Sequence, residues 1–168
     1  KAFVVDHGMG VTLTYLEMER KAKALAAGLT RLGVNVGDRV GVWLTNRWEW
    51  VVTQFACAVG GFILVTVNPA YRSSELHYAG KLLGLRVLVM QASHKTSDYY
   101  SILQGAENIP SLEFVIEVGD VVKKGHISFN TLLQTPLASF KQPIIDARNA
   151  CMVQFTSGTT GHPKGATL

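Results

Sequence analysis

Cysteine is scarce in this chain: Cys57 and Cys151 are the only two among 168 residues. They stand far apart without C-x-x-C spacing. A disulfide framework or a cysteine-based zinc site is therefore excluded, and two thiols in apolar segments suit buried residues in a reducing, intracellular compartment. Histidine is sparse as well. His7, His77, His94, His126 and His162 form no H-x-x-x-H pair and no Cys/His cluster, so no structural metal is expected. Charged residues make up 17% of the chain against 48% hydrophobic ones, a balance that excludes a disordered polar segment. The net charge of +4 is scattered, with basic runs no longer than pairs such as Lys123-Lys124, so nucleic acid is not an expected partner. The stretch from Val51 to Tyr71 lacks charge altogether. Its length approaches that of a bilayer span, but Gly60-Gly61 divides it. Before the division Asn46 is placed to cap a helix, with Glu49 following; after it, Phe62 to Val67 is β-branched and ends at Asn68-Pro69. No membrane span is expected, and no signal or transit peptide is visible.

What is present alternates between two periodicities. Thr14-Tyr15-Leu16-Glu17 has capping-box spacing, and Met18, Ala22, Leu25, Leu29 and Leu32 recur at helical intervals as far as Gly33. Gly37-Asp38 turns into a strand from Arg39 to Leu44. The uncharged helix and strand follow, then a helix opened by Ser73 or Ser74 and ended at Gly84, and a strand from Arg86 to Met90. A weaker helix over 96–104 precedes a strand from Phe114 to Val118; Phe129 to Leu133 reads as a short helix within a connector over 120–148. Strands alternating with helices predict an α/β fold around a mostly parallel sheet covered on both faces. The tryptophans Trp43, Trp48 and Trp50 read as packing residues rather than as the lining of an acyl pocket.

The segment from Phe155 to Gly165 packs four hydroxyls, three glycines and one lysine into a turn-prone stretch. Glycines at 158, 161 and 165 permit positive φ, so successive backbone N–H groups can converge on an anion while the hydroxyls and Lys164 add donors and charge. An ordinary surface loop would explain a lone glycine pair but not this coincidence. The apolar run from Cys151 to Phe155 reads as a buried strand, which puts the loop at a strand's carboxyl end, where open α/β sheets bind ligands. It is not a Walker loop: Pro163 precedes the lysine and Gly165 follows it, so the helix-entering geometry and the magnesium-binding hydroxyl are both missing. A G-x-G-x-x-G fingerprint is absent too. Ser157 lacks a nucleophile-elbow setting and is not read as a covalent nucleophile.

Thr156 through Gly165 resembles, without a gap, the phosphate-binding signature of the AMP-forming, adenylate-forming enzymes, a family that includes acyl-CoA synthetases, luciferases and peptide-synthetase adenylation domains. Thr14-Tyr15, Gly37-Asp38-Arg39-Val40, Val67-Asn68-Pro69 and Glu75-Leu76 follow in the family's order, so the likeness covers all 168 residues. Around Gln154 to Leu168 and Val67 to Tyr71 it is most similar to mitochondrial medium-chain acyl-CoA synthetases and bacterial fatty-acyl relatives. The resemblance implies an incomplete N-terminal AMP-binding domain over 1–168, part of a longer ligase that uses ATP, Mg2+ and coenzyme A. That enzyme would convert a carboxylic acid, most plausibly a medium-chain fatty acid, to an acyl-adenylate and then to a thioester, in mitochondria. It also implies that Thr156, Ser157, Gly158, Thr159, Thr160, Gly161, His162, Pro163 and Lys164 bind the nucleotide, with no catalytic residue or metal ligand identifiable in this stretch. An amino-acid-activating domain and a catalytically silent nucleotide-binding or interaction module remain the alternatives.

Overall fold

The computed structural model describes residues 1–156 and 163–168. An antiparallel hairpin, β1 (Ala2–Asp6) and β2 (Val11–Thr14), leads into α1 (Tyr15–Arg31). A seven-stranded sheet follows, built from β3 (Arg39–Trp43), β4 (Ile63–Thr66), β5 (Val87–Gln91), β8 (Phe114–Val118), β9 (Ile127–Ser128), β10 (Met152–Thr156) and β11 (Lys164–Thr167). Its order is β11-β10-β4-β3-β5-β8-β9, and all neighbours are parallel except β10 and β11. Between the strands lie α2 (Trp48–Gly60), α3 (Ser73–Leu83), α4 (Tyr99–Gly105) and α5 (Phe129–Leu132), with a small hairpin of β6 (Ser93–His94) and β7 (Ser97–Asp98) before α4.

Alternation along each strand sorts the core into two layers. Val40, Val42, Val87, Val89 and Ile116 face α1, α2 and α5, while Val65, Leu88, Met90 and Val153 face α3 and α4. Each fully buried leucine or valine contributes about 1.5–3 kcal/mol through removal of its side chain from water. The α/β architecture with a mostly parallel sheet is the one the alternation predicts. Trp43 is buried and stacks on Tyr99 at 4.0 Å, while Trp48 and Trp50 pack against the core. No helix among the described residues is long and apolar enough to cross a membrane.

Helix ends follow the sequence in most cases. Thr14 and Glu17 form the reciprocal capping box of α1. Gly61 and Gly84 take left-handed conformations, φ 71° and 59°, at the ends of α2 and α3. Asn46 does not cap α2. The N–H of Trp48 donates instead to Asp6 Oδ2 at 3.0 Å, and Glu49 is drawn into a two-pronged ion pair with Arg47, so the cap comes from a separate strand. The helix expected over 96–104 begins only at Tyr99, because the preceding residues form β6 and β7. Cys57 is buried but Cys151 is exposed, contrary to the expected pair of buried thiols. Strand β10, expected to be buried, is likewise only half-buried, and its outer neighbour β11 is exposed throughout.

Candidate functional site

Strand β10 runs parallel to β4, so it delivers its carboxyl end to the edge of the sheet where β3, β4 and β5 also end. The chain returns as β11, pairing Thr156 with Lys164, Phe155 with Gly165 and Gln154 with Ala166. Thr156 Oγ1 donates to the Lys164 carbonyl at 3.4 Å, and Tyr78 of α3 donates its hydroxyl to the Pro163 carbonyl at 3.3 Å. Thr156 and Lys164, both exposed, thus stand opposite each other at the two feet of the glycine-rich connection. Ser157, Gly158, Thr159, Thr160, Gly161 and His162 lie outside the described residues. Gly165 serves differently from the expected turn glycine. It sits within β11, and a Cβ there would meet Val153 Cγ1 at 3.0 Å, so its role is close packing between strands.

Connections leave the sheet in opposite directions at β3. Helix α2 returns on the α1 side, whereas α3 and α4, after β4 and β5, pack on the other face. A crevice opens where such directions diverge, at the strands' carboxyl ends. Here it measures about 740 Å³ and is lined by Thr45 and Asn46 after β3, by Asn68, Pro69, Ala70 and Arg72 after β4, and by residues 94–97 after β5. Arg72, His94 and Lys95 lie on its wall and no acid does. Among the described residues no group of three His, Cys, Asp or Glu side chains could hold a metal ion. With no carboxylate on its wall, the crevice itself offers no protein ligand to a magnesium ion.

The walls are fastened from behind. Trp43 Nε1 donates to the Asn68 carbonyl at 3.2 Å, and the Tyr99 hydroxyl donates to the Pro69 carbonyl at 2.9 Å. Gln91 accepts from the N–H and hydroxyl of Thr45, both at 3.0 Å, and donates to the Ser93 carbonyl at 2.8 Å. Arg72 reaches across to Ser97 Oγ at 3.1 Å. Tyr71 meets the Phe155 ring of β10 edge-on at 6.2 Å between centroids, which couples the loop after β4 to the strand that precedes the glycine-rich segment. Burial raises the Tyr71 phenol, and Glu75 adds to the shift.

The other motifs singled out in the sequence prove to be architectural. Asp38 accepts from Arg86 at 2.6 Å and from the Asn35 N–H at 2.7 Å, while Arg39 binds the carbonyls of Leu83 and Gly84 at 2.6 and 2.8 Å, closing the C-terminus of α3. Glu75 accepts from the Arg72 N–H at 2.8 Å. The basic wall of the crevice escaped the sequence reading, since its residues come from separate loops. The turn before α4, rich in hydroxyls and carrying Lys95, was its only local signal.

Comparison with known proteins agrees with this architecture. The family model described as AMP-binding enzyme matches residues 1–168. The medium-chain acyl-CoA ligase ACSF2, mitochondrial, of Bos taurus is 36% identical over 193 residues, spanning 100% of this chain and 30% of that protein. The solved anthranilate CoA ligase AuaEII, in complex with anthranoyl-AMP, superposes with a TM-score of 0.84 at 26% identity, over 94% of this chain and 30% of its own. A long-chain-fatty-acid-CoA ligase (FadD1) from Archaeoglobus fulgidus gives a TM-score of 0.80 at 27% identity, with the same coverages of 94% and 30%. The chain therefore spans about a third of the length of these relatives.

Proposed function

The chain belongs to the AMP-binding enzyme family, and from that membership we propose that the complete protein is an AMP-forming acyl-CoA ligase, with residues 156–164 holding the triphosphate of ATP. The observation that carries this reading is the β10–β11 hairpin. It sets Thr156 and Lys164 opposite each other at the carboxyl edge of the sheet, beside a basic crevice. A substrate carboxylate attacks the α-phosphorus, the bond to the β-phosphate's bridging oxygen breaks, and pyrophosphate leaves with the acyl-adenylate formed. Negative charge grows on the pyrophosphate during this step. Lys164, the Thr156 hydroxyl and the donors expected over 157–161 offset it and hold the triphosphate in line. The crevice receives a second phosphate-bearing substrate, the thiol coenzyme A, through Arg72 and Lys95, and the thiol then displaces AMP. A medium-chain fatty acid as the substrate and a mitochondrial location rest on the ACSF2 relative.

ATP–pyrophosphate exchange in the complete enzyme tests the reading. Lys164→Ala and Gly161→Val are expected to lower kcat/KM on the order of 10²-fold with an unchanged melting temperature, and normal exchange in both variants would remove the loop from the mechanism. Acids of graded chain length are expected to support exchange better than amino acids. Selective exchange with an amino acid instead identifies an amino-acid-activating enzyme.

A further inference from the structure

Glu117 of β8 is fully buried, and the adenylation chemistry makes no use of it. Three donors, from α4 and from the loop between β8 and β9, converge on its carboxylate. The Tyr100 hydroxyl, from α4, donates to Oε1; the Lys123 N–H donates to Oε2 at 3.0 Å; and His126 Nδ1, at the entry to β9, lies 2.8 Å from Oε2. A carboxylate only accepts, so His126 carries its proton on Nδ1. The Lys123 ammonium stands 4.7 Å over the Tyr100 ring. A purely structural filler at this position would be apolar, because burying a carboxylate costs desolvation that only directed hydrogen bonds return.

What these bonds direct is α4. Tyr100 belongs to its first turn, and Asp98, which caps that turn by accepting from the Tyr100 N–H at 3.0 Å, is also the last residue of β7. The hairpin of β6 and β7 is the wall of the basic crevice, and Lys95 at its turn has φ 52°. A non-glycine residue persists in that left-handed region where its surroundings hold it there. Tyr99 contributes by donating its N–H to the Ala92 carbonyl at 3.0 Å. Tyr100, its neighbour, ties the same turn to the sheet.

We propose that Glu117, acting through Tyr100, is a positioning residue for the coenzyme A crevice: it pins the start of α4 to β8 and so fixes where Lys95 and Ser97 stand. The proposal rests on the crevice reading given above. Its test in the complete enzyme compares Tyr100→Phe, Glu117→Gln and Lys95→Ala by KM for coenzyme A, by ATP–pyrophosphate exchange and by melting temperature. Tyr100→Phe is expected to raise KM for coenzyme A about five-fold while exchange is kept. Glu117→Gln should stay near the parent value, since its amide can donate to the Tyr100 oxygen while its carbonyl accepts from Lys123. Lys95→Ala should raise the same KM. An unchanged KM in Tyr100→Phe beside a raised one in Lys95→Ala overturns the positioning role and leaves the crevice reading standing. An unchanged KM in Lys95→Ala removes both. Parallel losses of exchange, thioester formation and stability in Tyr100→Phe reduce the contact to simple packing and overturn the proposal.

Discussion

Burial acts to raise the Glu117 carboxyl, but the Tyr100 hydroxyl, the Lys123 N–H and His126 together outweigh it, and the net shift is downward. An unfolded glutamate titrates near about 4.3. Between that value and the lower folded one the unfolded chain binds more protons, so this stabilisation is complete above about pH 4.3 and is lost as pH falls through the folded value. Thermal unfolding from neutral to acid pH should therefore show the parent chain losing stability more steeply than Glu117→Gln below about pH 4.5. Asp98, Lys123 and His126 face the same cluster, so the difference between the two curves is the quantity to read; parallel curves would mean that the carboxylate is not held by its donors. At the basic end the Tyr100 phenol, pushed up to about 12 chiefly by its hydrogen bond to Glu117, acts in the opposite sense, and stability falls as pH rises past about 10. None of this was legible in the sequence, because residues 100, 117, 123 and 126 become neighbours only through strand pairing. Thr156 and Lys164 could be singled out as candidates, since their chemistry is written into one continuous stretch.

Helix ends with local punctuation read correctly, and the one fixed by a distant partner did not. The capping box of α1 and the glycines ending α2 and α3 lie beside the helices they limit. The cap of α2 does not: Asp6 accepts from Trp48 with Oδ2 and from the Met9 N–H with Oδ1, both at 3.0 Å, so one carboxylate closes the β1–β2 turn and starts a helix far along the chain. Replacing it with alanine orphans two donors and should cost about 1–2 kcal/mol. Asp6→Asn keeps a single acceptor oxygen and is expected to fall between the parent and Asp6→Ala in denaturant midpoint, with Asn46→Ala close to neutral. A large loss in Asn46→Ala with none in Asp6→Ala would restore the local cap. The β1–β2 hairpin itself passed unread, although its turn, Asp6-His7-Gly8-Met9-Gly10 between two apolar runs, carries the residue types that mark hairpins. Strand β11 was hidden for another reason. Lys164, Gly165, Ala166 and Thr167 include a single β-branched residue and no apolar alternation, so only the pairing with β10 makes them a strand.

At the scale of the whole molecule, the order of strands explains why the crevice lies where it does, and the same order leaves an edge open. Alternation of strands and helices was enough to infer a parallel sheet, but not the reversal at β3 that creates the crevice, since the face taken by each helix depends on packing between α1 and α2. On the far side, β11 is an edge strand whose four residues are all exposed, next to a β10 only half-covered. A further apolar surface of Phe3, Tyr15, Leu16 and Phe55 lies open between β1, α1 and α2. An unpaired strand edge offers its N–H and C=O groups to another chain, and exposed apolar area adds a driving force. The 168-residue chain in isolation is therefore expected to self-associate as its concentration rises, and, on the proposed function, to form no acyl-CoA, because it spans only 30% of the length of the ligases it resembles. Ala166→Lys, which places a charge on the β11 edge, should lower the apparent mass in sedimentation more than a lysine at Leu16 does if association runs through the strand. A larger effect of the lysine at Leu16 would assign it to the apolar surface; a monomer at all concentrations would overturn the open-edge argument, and turnover to acyl-CoA would overturn the divided site.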